Sequence, residues 1–265
     1  MNRGGTIPNV AHTGDGSSAP PPRPDLAGTR PQDRVVPALP DPTWKPIDIL
    51  PVLLMPIGAA SVLLEFAVQV TRLRGALINT VSELVFELFL AGSVLVWLRW
   101  IRPGPIEALG IRSTRPAGDL FLGILIGLGM LVVAVVVSEL VQQVVSLVIG
   151  HEPRLPQRVP ASIRGPWLIP LFFTLVLIGP AAEEILFRGF VFRGVRQRFA
   201  FWPAALISAA CFSLAHVTFL SLPYTFTDGL ILAGVFERRR SLVASFAAHA
   251  TNNLVVFLLL VGARH

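Results

Sequence analysis

Seven stretches of this chain are long, apolar and rich in Leu, Val and Ala: residues 49–70, 76–98, 119–149, 166–190, 202–220, 223–236 and 242–262. A backbone in lipid must satisfy its own polar groups, so such runs form helices or closed barrels. They are continuous rather than alternating, which selects helices. The expected fold is therefore all-α, a polytopic transmembrane helical bundle of about seven spans around a polar intramembrane cavity. A span needs about 20 residues, so 223–236 is short enough to be tilted or re-entrant, and 119–149 is long enough to leave the bilayer.

Charge supports the same reading. Only 14% of the residues are charged, where soluble domains carry about 25%. The net charge of +6 comes from arginines in short loops between apolar runs, with Lys45 as the sole lysine. That pattern fits the positive-inside rule and not nucleic-acid binding. Arg99, Arg102, Arg112, Arg115, Arg193, Arg196, Arg198, Arg238, Arg239 and Arg240 fall on the side of the N-terminus. The N-terminus is thus expected in the cytoplasm and, after seven spans, His265 outside. Residues 1–45 hold Pro20, Pro21, Pro22 and Pro24 and few apolar residues. They read as a disordered, Pro-rich cytoplasmic tail without a signal peptide, ahead of a helical domain over 46–265. Cys211 is the single cysteine and cannot form an intrachain disulfide.

Polar residues inside the apolar runs carry the chemistry. Charges at membrane depth are costly and mark functional sites. Glu184 and Arg188 are spaced i,i+4 with the acid first, the favourable order for an ion pair on one helix face. Glu183 is rotated by about 100°, which leaves it available as a base. His249 and Asn253 share a face by the same spacing, and His216 follows Phe212 one turn later. Glu65, Glu83, Glu87 and Glu139 also lie in apolar runs; they are expected to pair with arginines or face an interface and are not assigned to the site. Drawn linearly, the topology puts Glu183 and His249 near the cytoplasmic side and His216 deeper. A shared site then needs the helix after Arg188 to re-enter, or the 202–220 span to start deeper, with Pro180, Gly189 and Pro203 as candidate bend points.

Glu183-Glu184-x-x-x-Arg188, Phe212-x-x-x-His216 and His249-x-x-x-Asn253, in this order within residues 119–262, resemble the motifs of the CPBP intramembrane proteases. That family includes the Rce1-type CAAX prenyl endopeptidases and the bacterial Abi proteins. The resemblance implies an intramembrane endopeptidase that cuts a membrane-associated peptide or protein by glutamate-activated water. It implies that Glu183 activates the water, that His216 assists, and that His249 and Asn253 hold the oxyanion or the water. Glu184, Arg188 and Phe212 would support the site. The expected setting is a bacterial plasma membrane.

Rival chemistries lack their motifs. His151-Glu152 has no second zinc-helix histidine, and neither Gly-x-Gly-Asp nor Gly-x-Ser-Gly occurs. No cofactor is expected, although His216, His249 and Glu183 make a legitimate zinc ligand count, so a zinc-dependent version of the same protease is one alternative. A non-catalytic scaffold or bacteriocin-immunity protein of the same fold is another, and a transporter with a Glu/His proton relay a third.

Overall fold

The computed structural model describes residues 1, 38–71, 76–151, 165–216 and 219–262, and among them every regular element is helical. Residues 2–37 lie outside the described residues, and so does most of the segment read as a tail. The described residues from 38 onward belong to one compact unit. Seven long helical segments coincide with the seven apolar runs: α1 (Ile49–Thr71), α2 (Ala76–Val96), α3 (Pro116–Ile149), α4 (Gly165–Arg196), α5 (Phe201–Ala215), α6 (Leu222–Arg239) and α7 (Leu242–Gly262). Four stretches among them are long and apolar enough to cross a membrane: Thr80–Ile101 in and after α2, α3, α4 and α7.

Local chemistry sets the ends. α3 starts on Pro116, whose missing N–H costs nothing in the first turn. It stops at Gly150, whose φ of +78° closes the last turn through its N–H to Ser146 O. α3 packs on α7 backbone to backbone. A Cβ on Gly127 would lie 2.4 Å from Ala248 O, and one on Gly123 2.5 Å from Ala244 O, so only glycine permits this approach.

α4 is built differently. It is helical throughout, but Phe173–Ile178 and Glu184–Phe192 are wound as π-helix. Such wide turns are rare and concentrate at functional sites. Three carbonyls of this helix take side-chain donors from elsewhere in the chain. Pro180 has no N–H to give to Leu175 O five residues back, and Asn253 Nδ2 of α7 donates to that oxygen at 2.9 Å. Ser208 Oγ of α5 donates to Phe187 O at 2.8 Å. Trp44 Nε1 donates to Phe190 O at 2.9 Å, with its ring stacked on Phe190. Trp44 is fully buried, and Arg193 donates to Pro40 O. The segment 38–45, read as the end of the tail, is therefore packed on the helical body.

The expected depth conflict disappears for a simple reason. α4 continues to Arg196 rather than ending near 190, and α5 runs from Phe201 only to Ala215. Glu183 and Phe212 lie on the two arms on either side of the turn at 197–200, and His249 meets both, with Nε2 3.4 Å from Glu183 and its ring 5.6 Å from that of Phe212. The two arms of this helical hairpin bring them to the same level. No re-entrant path is needed.

Candidate functional site

The site is organised around one histidine. His249 is buried on α7, and each ring nitrogen faces a carboxylate of α4. Nδ1 lies 3.2 Å from Glu184 Oε1, and Nε2 lies 3.4 Å from Glu183 Oε2. Glu184 Oε1 also accepts from Arg188 Nη1 at 2.8 Å. Both members of that i,i+4 pair are shielded from solvent, at 1% and 0% side-chain exposure. An unpaired arginine there would be prohibitive, so Glu184 is committed to charge balance. Glu183, one residue earlier and about 100° round the helix, keeps 15% side-chain exposure. Two adjacent acids thus reach the same imidazole from different environments.

Phe212 of α5 is the floor. Arg188 lies 4.5 Å over its ring, a cation–π arrangement that helps hold a desolvated guanidinium. The rings of His216 and His249 meet the same phenyl group edgewise, at 4.8 and 5.6 Å between centroids. His216 caps α5, half-buried, with Nδ1 2.9 Å from Phe212 O. α6 supplies Gly229 O, 3.4 Å from Arg188 Nη2, and places Asp228 in the electrostatic field of that arginine.

Among the residues singled out from sequence, Glu183, Glu184, Arg188, Phe212, His216 and His249 come together. Asn253 is turned toward α4, with its amide on Leu175 O. Two of the three candidate zinc donors meet, Glu183 Oε2 and His249 Nε2. His216 holds its own helix carbonyl, and no cluster of three or more His, Cys, Asp or Glu side chains suited to a metal occurs among the described residues.

Two acids near the site were not assigned to it from sequence. Asp228 sits in the short, less apolar run, and its neighbour Gly229 is the only cue. Glu87 pairs with no arginine among the described residues. It lies within electrostatic reach of Glu183 and Glu83, and its Oε2 is enclosed without a hydrogen-bond partner among the described residues. Glu83 and Glu87 are i,i+4 on α2, the same signal that exposed the motif pairs. Of the other two, Glu139 is exposed on α3, and the side chain of Glu65 lies outside the described residues. Cys211 is a free, partly buried thiol on α5.

Residues 165–255 match the family described as "Type II CAAX prenyl endopeptidase Rce1-like". The matched segment contains every motif residue from Glu183 to Asn253. The chain is 27% identical over 112 residues to "Putative membrane peptidase YdiL" of Bacillus subtilis (strain 168), a match covering 42% of this chain and 45% of that protein. It is 32% identical over 84 residues to "UPF0177 protein YxdF" of Lactococcus lactis subsp. lactis (strain IL1403), covering 31% and 45%. The chain thus spans about half the length of these relatives. No solved structure matches. The matches and the apolar helices support an integral membrane protein in which residues 165–255 are similar to the Rce1-like family.

Proposed function

From the premise that residues 165–255 belong to the Rce1-like family, we propose that this chain is an intramembrane endopeptidase that hydrolyses a peptide bond of a membrane-associated peptide or protein. The observation that carries the reading is the grip of two carboxylates on one imidazole. Glu184 Oε1 and Glu183 Oε2 lie against Nδ1 and Nε2 of His249, and a ring protonated on both nitrogens, with Nδ1–H toward Glu184, presents the Nε2–H donor that an oxyanion needs. Glu184 is in turn held by Arg188. That leaves Glu183 as the carboxylate free to take a proton from water.

The steps balance as follows. Water oxygen bonds to the peptide carbonyl carbon while Glu183 takes its proton, assisted by His216. The carbonyl π pair moves to oxygen, which His249 and Asn253 stabilise. Asparagine has two amide N–H donors, so Asn253 can hold Leu175 O with one and an oxyanion with the other. Collapse breaks the C–N bond, and the proton on Glu183 passes to the leaving nitrogen. Pre-set donors in a dry site typically contribute about 10²–10³ in rate each.

The setting we propose is a bacterial plasma membrane with a cytoplasmic N-terminus, resting on the arginine bias. Residues 1–45 as a cytoplasmic tail and 46–265 as the helical domain belong to the same reading. The test is incubation of purified protein with a membrane peptide library, comparing wild type with Glu183→Gln. Products from wild type and none from the variant are expected. Wild-type protein that binds peptides without cutting any would replace this reading with a scaffold or immunity protein. Stoichiometric zinc, lost together with cleavage on chelation, would overturn the metal-free step.

A further inference from the structure

The reaction above leaves one buried amide beside His249 without a role. Asn252 is 6% exposed, and its Oδ1 is enclosed without a hydrogen-bond partner among the described residues. A buried acceptor without a donor is costly and calls for an explanation such as an absent ligand group. The next residue is the contrast. Asn253 is about 100° further round α7 and donates an amide hydrogen to Leu175 O at 2.9 Å. One amide of the pair is committed to holding α4, and the acceptor of the other is uncommitted.

Placement on α7 ties Asn252 to the site. Ser245, His249 and Asn252 are spaced i, i+4 and i+7, one stripe of a helix. Ser245 is a side-chain hydrogen-bond partner of Glu184, and His249 Nδ1 lies 3.2 Å from the same carboxylate. Asn252 continues that stripe one turn beyond the imidazole. On its other flank it follows Ala248 by four residues, and Ala248 is buried in an apolar cluster with Met130 of α3 and Leu232 of α6. A neutral amide cannot offset the desolvation of a charged ligand group. It does match a peptide group, since asparagine offers an acceptor and two N–H donors and a peptide unit offers one N–H and one C=O.

We infer that Asn252 binds the main chain of the substrate, its Oδ1 accepting a peptide N–H beside the bond that is cut. This inference rests on the endopeptidase reading, but its tests are of stability and binding. An uncommitted buried acceptor means that Asn252→Leu, similar in shape and without polar side-chain atoms, should melt in detergent no lower than wild type. A fall of more than about 4 °C, the scale of one lost interaction in a chain of this size, overturns the inference, because the fold would then already use the amide. The binding probes are fluorescein-labelled, Leu/Ala-rich membrane peptides of about 20 residues. One is all-amide, and each of the others carries a single ester bond that removes one N–H at successive central positions. Fluorescence anisotropy reads their binding to the purified full chain. At one position the ester should weaken binding to wild type about fivefold, the scale of one neutral hydrogen bond. In Asn252→Ala, too small to block the peptide, the same ester should change binding less than about twofold. Esters with equal effects on both proteins at every position, or no binding of any peptide to wild type, overturn the assignment. Cleavage without that coupling removes Asn252 and keeps the endopeptidase reading. The coupling without cleavage of any peptide does the reverse.

Discussion

α3 and α4 are nearly equal in length, 34 and 32 residues, yet they do opposite work. The most apolar 18-residue window of α3 has a mean hydropathy of 3.0 and that of α4 one of 1.7. α3 is a regular helix that satisfies its own backbone and turns Phe121, Leu140 and Leu147 outward. Its tightest backbone approach is the glycine seam against α7. α4 widens twice into π turns and carries Glu183, Glu184 and Arg188 inward. Its carbonyls at Leu175, Phe187 and Phe190 accept from Asn253, Ser208 and Trp44, from two other helices and the N-terminal segment. A regular apolar helix satisfies its own backbone and can face lipid. A helix whose carbonyls hold side chains of its neighbours must be packed against them, and those neighbours fix a polar site in place.

The sharpest way to break this contrast is to remove the charge balance of α4. Glu184→Gln should destabilise the protein by about 3–5 kcal/mol, because Arg188 becomes a buried unpaired charge. Glu183→Gln should stay within about 1 kcal/mol of wild type, the ordinary scale of a single substitution. Thermal unfolding in detergent reads both, and equal losses would end the division of roles between the two acids.

A backbone partner gives the next effect. Asn253→Ala should cost about 1–3 kcal/mol, because Leu175 O loses its donor where Pro180 offers none. It should also lower cleavage about 10²–10³-fold with little change in KM. A stability loss without the rate loss would restrict Asn253 to holding α4.

α3 should respond to size rather than polarity. Gly127→Val forces side-chain atoms against Ala248 O and should cost about 1–3 kcal/mol by overpacking. The same helix should tolerate Gly129→Ala within about 0.5 kcal/mol, because nothing lies within 4 Å of the added Cβ. A large loss at Gly129 would show that α3 has a second packed face.

The motif pairs were legible in the sequence because i,i+4 spacing is a property of one helix. Glu184 with Arg188 could be paired before any fold was known. Glu87 was not placed, although Glu83 and Glu87 carry the same spacing. Its neighbour Glu183 is on another helix, and the room for its carboxyl, 3.5 Å from where a Cβ on Gly179 would lie, appears only when α2 lies alongside α4. The catalytic roles of Glu183, His216, His249 and Asn253 rest on the proposed reaction and its tests.

The sequence by itself determined that this is a helical membrane protein, where its apolar runs lie, and which polar residues share a helix face. Hydropathy and helical period are local quantities, readable along one segment. Tertiary structure alone decided that α4 runs on to Arg196 and turns back so that Glu183 and Phe212 stand level. It alone decided that carbonyls of α4 accept from Asn253, Ser208 and Trp44, and that one imidazole joins two adjacent acids. Each of these depends on distances between segments far apart in the chain, which are set by how helices pack and not by any residue's own preference.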